Sequence, residues 1–241
     1  MQNKTPPKRS KHITILSGAG ISAESGISTF RDSDGLWENH RIEDVATPEA
    51  WNRNPELVLE FYNLRRKQLM EVEPNAGHFA ITDLQKNFRV SVITQNVDDL
   101  HERAGNTHVL HLHGELKKVR STGNPPTVYD LDGWELSIGD KCDNGHQLRP
   151  HIVWFGEEVP NLMFAAELVS QTDAVIIVGT SLNVYPAASL YQYAKPDCPI
   201  WIIDPKANEL SYPDSIIPIN EKAGAAMPRL VQSLLEGEIT L

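Results

Sequence analysis

The chain of 241 residues carries two cysteines, Cys142 and Cys198, too few for a disulfide framework and in keeping with a reducing compartment. It has no apolar run near the roughly 20 residues needed to cross a bilayer. Basic residues are outnumbered: 22 Lys and Arg against 32 Asp and Glu give a formal net charge of −10. That balance argues against nucleic acid or an anionic membrane as a partner. No secretory leader is expected either. Lys4, Lys8, Arg9 and Lys11 look like the charged start of one, but the apolar stretch behind them, 13–16, is short and runs into a glycine turn. No internal repeat is visible. What remains, 40% hydrophobic and 22% charged, is ordinary globular composition. It predicts a cytoplasmic protein of one large domain, or of one large domain carrying a smaller one.

The runs 13–16, 90–93, 109–112, 174–178 and 200–203 are dominated by Ile, Val and Leu, as in parallel strands buried on both faces. Helical patterns lie between them at 76–85, 162–170 and 227–235. Strand, helix, strand alternation predicts a doubly wound α/β sheet, whose ligands sit at the carboxyl ends of the strands. Two stretches break the rhythm, 38–74 and 119–149, and both read as insertions that together form a small module. The first holds a helix begun by Asn54 as N-cap and Pro55 at the first helical position. Leu57, Phe61 and Leu64 follow helical spacing and are expected to form its buried line. Tyr62 and Arg65 share a face with Val58 and Leu69. The second is rich in Gly, Asp, Asn and Pro, with only Val128, Tyr129, Leu131, Trp134, Leu136 and Ile138 to pack.

Polar clusters follow the strands. Gly18-Ala19-Gly20-Ile-Ser-Ala23 allows a sharp turn and close approach to a pyrophosphate. No second strand ends in an acidic residue, as a dehydrogenase would require. A polar loop comes instead, reaching Phe30, Arg31 and Asp32. Thr94-Gln95-Asn96-Val97-Asp98-Asp99 follows another strand, and His111-Leu-His113-Gly114 a third. Two histidines at that spacing read as a metal pair, as structural histidines, or as a site holding a general base. No acid or cysteine at familiar spacing completes a metal set.

In order along the chain, GAGIS at 18–22, FRD at 30–32, TQNVD at 94–98, HG at 113–114, VWFGE at 153–157 and GTS at 179–181 resemble the sirtuins, NAD-dependent protein lysine deacylases. The resemblance spans the chain from about residue 12 to the Lys222-Ala223 region. It implies an α/β fold: a Rossmann-like doubly wound parallel sheet over 1–37, 75–118 and 150–241, with the small module at 38–74 and 119–149. It also implies roles. Gly18, Ala19 and Gly20 match a phosphate-binding turn, and Ala23, Phe30 and Arg31 a cofactor loop. Gln95, Asn96 and Asp98 match the nicotinamide and ribose pocket, and His113 the catalytic base. Val153, Trp154, Phe155 and Gly156 resemble the strand that pairs with the substrate peptide. Gly179, Thr180, Ser181, Asp204 and Ala223 resemble adenosine contacts, with Asp204 where the family often has asparagine. Nicotinamide would leave, the acyl oxygen would attack the freed ribose carbon, and His113 would deprotonate a ribose hydroxyl. The products are free lysine, nicotinamide and O-acyl-ADP-ribose.

The family's structural zinc rests on two Cys-x-x-Cys pairs. Here those positions read Ser121 and Asn124, then Cys142 and Gly145, with Asp143 and His146 nearby. One thiolate is too few, so no zinc and no other metal is expected. The module is instead expected to stand on its apolar residues, with Trp134 and Tyr129 as the largest anchors. Tyr62-x-x-Arg65 and Ala46-Thr47-Pro48 resemble the sirtuins that remove succinyl and malonyl groups. The expected activity is removal of those groups, and more weakly of acetyl, from proteins or peptides. Mono-ADP-ribosyl transfer, or NAD-dependent binding of acyl-lysine without turnover, are the alternatives. Retention of both Asn96 and His113 favours deacylation.

Overall fold

The computed structural model describes residues 10–27, 36–37 and 40–241. Strand β1 (His12–Ser17) runs into a short helix, α1 (Ala19–Ala23). A hairpin of β2 (Leu36–Trp37) and β3 (His40–Arg41) leads to helices α2 (Ile42–Val45), α3 (Pro48–Arg53) and α4 (Pro55–Glu71). Then come α5 (Ala76–Leu84), β4 (Arg89–Thr94), α6 (Leu100–Arg103), β5 (Val109–His111), β6 (Gly114–Ser121), β7 (Val128–Asp130) and β8 (Leu148–Ile152). The remaining elements are α7 (Leu162–Ser170), β9 (Ala174–Val178), β10 (Ile200–Ile203), β11 (Ile216–Ile219) and α8 (Ala223–Leu235). No helix among the described residues is long and apolar enough to cross a membrane.

A six-stranded sheet in the order β11-β10-β9-β1-β4-β5, parallel throughout, forms the frame. Successive side chains alternate between its faces, which is why its strands read as unbroken apolar runs. Ile13, Ile15, Val90, Val92, Ile176 and Val178 pack with Ile81 and Leu84 of α5 and with Met227, Leu230 and Val231 of α8. Leu16, Ile93, Val175, Ile177 and Ile202 pack with α7 and with a 3-10 helix at Ala187–Tyr193. Strand β11 stands outside the runs read from the sequence, because Pro218 interrupts its pattern. Proline is tolerated there because β11 is an edge strand, paired only with β10.

The connections leave β1 towards β4 on one side and return to β9 on the other, so the topological switch point lies between β1 and β9. The register aligns Val178, Ser17, Thr94 and His111 in one row across the sheet. The Thr94 and His111 clusters therefore begin in that row, and the Gly18 and Gly179 turns one step beyond it.

The two insertions meet. β7, β6 and β8 form a three-stranded antiparallel sheet whose outer ends, Gly114 and Ile152, lie beyond the 119–149 stretch. Helix α4 begins as its sequence suggests, with the Asn54 side chain accepting from the Leu57 amide at 3.1 Å and Pro55 in the first turn. Its buried stripe differs from the expected line. Leu57 is half-buried and Leu64 is exposed, whereas Val58, Leu59, Phe61, Tyr62, Arg65, Arg66 and Leu69 are buried. The cause is cover on two sides, by α2 and α3 and by β6 and β8, which widens the stripe until it takes in two arginines.

Leu59 packs with Val119 and Leu136, and Trp51, Tyr129, Leu131 and Leu148 close the edges of that cluster. Tyr129 thus contributes as expected, but Trp134 does not. It is partly exposed, with the Lys67 ammonium 5.7 Å from its ring. The anchor is Leu136 together with a polar clamp. The Asn63 side chain donates to the Leu136 carbonyl and accepts from the Leu136 amide, both at 3.0 Å. Arg66 donates to Asn63 Oδ1 at 2.6 Å, to the Trp134 carbonyl at 3.2 Å and to the Leu116 carbonyl at 2.7 Å. Burial lowers its guanidinium pKa to about 10, and these acceptors are what make the buried cation tolerable.

Replacing Asn63 with alanine leaves the Leu136 peptide without side-chain partners. We expect a loss of about 2–3 kcal/mol and a melting temperature lower by roughly 4–12 °C. Calorimetry checks it, and a shift under a degree would show that apolar packing alone holds the module.

Candidate active site

The site assembles on loops that leave the aligned strand ends. After β1 and β9 the chain turns so that Gly18 donates to the Val178 carbonyl at 3.0 Å and Gly20 to the Gly179 carbonyl at 2.8 Å. A Cβ on Gly20 would lie 2.7 Å from Gly179 Cα, and one on Gly179 would lie 2.3 Å from the Ile21 nitrogen. Gly179 also has φ +65°. These glycines are thus required first for the two loops to touch each other. Ala19 stays exposed between them at the start of α1, and Thr180 presents its hydroxyl 3.3 Å from Gln95 Nε2.

Asn96 is buried and held through its side-chain amide nitrogen and its backbone. Its side-chain amide donates to the Gly18 carbonyl at 3.1 Å and to Ser22 Oγ at 3.0 Å, and its backbone N–H donates to Thr94 Oγ1 at 3.0 Å. The Ser22 hydroxyl in turn donates a hydrogen bond to Asp98 Oδ2 at 2.9 Å. Burial pushes the Asp98 carboxyl above its ordinary range, with the Ser22 hydrogen bond opposing. Ser22 belongs to the glycine motif but was given no role by the sequence. Its place three residues beyond Ala19, facing back across α1, is the signal that would have found it.

His113 donates Nδ1–H to the Gln95 carbonyl at 3.1 Å, and no described residue hydrogen-bonds Nε2. A carbonyl can only accept, so this bond places the proton on Nδ1 and leaves the Nε2 lone pair available. Burial holds the pKa below its usual value and the Gln95 carbonyl only partly offsets this, so the imidazole is neutral near pH 7. The glycine after it is obligatory: Gly114 has φ +84°, and a Cβ there would sit 2.0 Å from the His151 carbonyl oxygen.

The segment 153–156 lies outside any strand: Val153 and Trp154 follow the end of β8 without regular structure, and Phe155 and Gly156 form a turn. The Val153 amide donates to the His113 carbonyl at 2.9 Å and the Phe155 amide to the Ala46 carbonyl at 3.0 Å. Trp154 points inward, with the Arg149 guanidinium stacked 3.4 Å from its ring centroid. Its Nε1–H donates to the Tyr62 hydroxyl at 3.1 Å. Glu157 closes the turn by accepting from the Trp154 amide at 2.8 Å and from Arg120 and Arg149. Tyr62 packs in one cluster with Ile27, Val45, Ala46 and Ile152, and Arg65, one turn on, is buried with its guanidinium 5.8 Å from the Phe61 ring centroid. Burial pushes the Tyr62 phenol to about 12, with Arg65 opposing, so it keeps its proton to donate.

Residues 18–186 match the family model described as the Sir2 family. The chain belongs to the Sir2 family. An NAD-dependent protein deacylase of Helicobacter pylori (strain J99) is 57% identical over 228 residues, 94% of this chain and 96% of the relative. One from Bacteroides thetaiotaomicron is 51% identical over 230 residues, 93% of this chain and 98% of that protein. A solved Sir2 homologue–NAD complex superposes with TM-score 0.82 at 39% identity, over 95% of this chain and 91% of that one.

Other positions assigned by the sirtuin resemblance are scattered more widely. Asp204 is buried beyond β10, where Oδ1 accepts from the Lys206 amide at 2.9 Å. Ala223 opens α8 and is packed against Gly77, while Ser181 is half-buried and Ala23 exposed. Phe30 and Arg31 lie outside the described residues. At the sirtuin zinc positions, Ser121 Oγ accepts from the Thr127 amide at 3.0 Å, and Gly145, at φ +77°, has no side chain to offer. Cys142 sits in a tight turn closed by the Gly145 amide. Among the described residues no three His, Cys, Asp or Glu side chains gather as a metal site. A single thiol does not fit a closed tetrahedral zinc.

A buried histidine pair that the sequence left unremarked lies under the site. Ser17 donates to Thr94 Oγ1 at 2.8 Å, so His101 Nε2, also 2.8 Å from Ser17 Oγ, must be the donor in that contact. The rings of His101 and His78 meet edge to face, 5.0 Å between centroids. Burial lowers the His78 pKa to about 4 and drives His101 well below its ordinary value. A depressed histidine pKa supplies stability above the unfolded value, about 6.5, that is lost as pH falls towards the folded one. His111, raised by its Glu102 partner, has the opposite sign. Between pH 7 and pH 5 the wild type should lose about 1–2 kcal/mol more than His78→Gln. Parallel stability profiles in denaturant titrations would refute this.

Proposed function

We propose that the protein removes acyl groups from protein lysines in an NAD-dependent reaction and prefers those ending in a carboxylate, succinyl and malonyl, over acetyl. That it is an NAD-dependent protein deacylase follows from its family and relatives; the acyl preference is the further step. The observation that carries it is a guanidinium inside an apolar wall: Arg65 is only 7% exposed, one helical turn from a fully buried, protonated Tyr62.

NAD fits the residues present. The glycines at 18 and 20 let the two loops meet, since a Cβ at either would clash with residues 179–180, and Ala19 stays exposed beside that contact. Gly18, Ala19, Gly20, Gly179, Thr180 and Ser181 would hold its phosphate and adenosine parts, with Asp204 and Ala223. Gln95, Asn96 and Asp98 would hold the nicotinamide end. NAD supplies the glycosidic bond whose cleavage leaves a ribose carbon for the acyl oxygen. His113, neutral and with Nε2 open, takes a proton from a hydroxyl presented to it. Residues 153–156 offer the backbone that would line up a peptide, and a solved Sir2 variant, 28% identical, is complexed with a deacetylated p53 peptide and 3′-O-acetyl ADP-ribose, the kind of product pair this reaction would leave.

A carboxylate entering the apolar wall loses its water, and Arg65 with the Tyr62 hydroxyl would replace those hydrogen bonds. Arg65→Met should therefore lower the ratio of succinyl to acetyl kcat/KM by roughly 10- to 150-fold, without lowering acetyl turnover. An unchanged ratio would remove Arg65 from acyl choice. His113→Ala should lower turnover on every acyl group by roughly 10²–10⁴-fold.

We also hold that the module works without zinc, since the Asn63–Arg66 clamp and the Leu136 cluster occupy the structural role. Elemental analysis of purified protein should find no stoichiometric zinc, and chelators should leave the melting temperature unchanged. About one zinc per chain would overturn this and implicate Cys142 and His146.

A further inference from the structure

We propose that His111, braced by Glu102, is a positioning residue for nicotinamide cleavage that holds the Asn96 carbonyl from beneath the site. This rests on Asn96 lining the nicotinamide pocket, as proposed above. His111 Nδ1 lies 2.9 Å from the Asn96 carbonyl oxygen and Nε2 lies 2.8 Å from Glu102 Oε1. Both partners are acceptors, so both ring nitrogens must donate and the ring is an imidazolium. Burial works against that charge, but the Glu102 carboxylate raises the pKa above its usual value. Glu115, Asp98 and His101 are the other titratable groups that interact with it, two acids against one neutral histidine.

The result is a division of labour within one short loop. Two consecutive carbonyls, Gln95 and Asn96, are each held by a histidine, but by opposite protonation states. His113 is neutral, with Nε2 left to react. His111 is charged and spends both protons on geometry, and its own carbonyl accepts from Asn161 at 2.9 Å, fixing its backbone to the start of α7. Without His111, Asn96 keeps its amide-side contacts but its carbonyl is left buried and unpaired. Its peptide plane is then free to rotate, which displaces the side chain above it.

The test is nicotinamide exchange with NAD and an acyl-lysine peptide, measured alongside deacylation. His111→Leu removes the donor; His111→Asn retains an N–H near the position of Nδ1. We expect His111→Leu to lower kcat for exchange roughly tenfold to a hundredfold with KM for NAD changed less than about threefold, and His111→Asn to recover most of the loss. Glu102→Ala, on the partly exposed partner, should give a milder loss of the same kind. Nitrogen-15 spectra of the unmodified protein at pH 7.5 should show His111 protonated on both nitrogens and His113 on Nδ1 alone. Asn96→Ala separates the two readings. If it retains exchange, the assignment of Asn96 fails. If it loses exchange while folded His111→Leu stays within twofold of wild type, or if His111 is neutral in the spectra, the positioning role fails.

Discussion

The site depends on one close contact, the approach of the Gly18–Gly20 turn to Gly179 across the switch point of the sheet. Bringing two backbones that near requires the absence of side chains on both. Everything above follows from it. The Gly18 carbonyl is then placed to receive the Asn96 amide, and Ser22 to bridge Asn96 and Asp98. Thr180 comes within reach of Gln95. A fault in this contact would therefore displace the pocket as a unit.

Helix α4 is the second organiser, and it works by dividing its faces. Tyr62 packs with Ala46 and Trp154 and Arg65 is buried beside the Phe61 ring, while their immediate neighbours Asn63 and Arg66 clamp the 134–136 segment of the module. A rotation of about 100° per residue makes those two pairs adjacent stripes on one helix. The anchoring of the module and the polarity of the acyl wall are thus set by the same element.

The parallel sheet and the level at which its loops lie were legible because strands buried on both faces leave unbroken Ile and Val runs. The cap at Asn54 and Pro55 was legible because its chemistry is local. The stripe of α4 was not: a pattern rule that counts only apolar residues selects Leu64 and passes over Arg66, since nothing local reveals a carbonyl waiting at Leu116. Trp134 misled for a related reason, as size marks a candidate anchor but not which side of the loop is covered. Ser22 and His101 escaped because their partners lie far along the chain and became neighbours only through the sheet register, whereas His111 was noticed only as one of a pair with His113, since spacing does not show that Asn96 and Glu102 claim its two nitrogens.

The strand order also has a temporal side. β1 precedes both of its partners in the chain and is flanked by β4 on one side and by β9 on the other. Until residue 179 has been made, Gly20 has no surface to close on, and the floor of the cleft does not exist. Pairings of such long sequence separation are slow to form. A nascent chain can thus carry every residue of the 94–98 and 111–114 loops and still offer no dinucleotide crevice, so ligand capture must follow synthesis of β9 and cannot guide the folding of what precedes it.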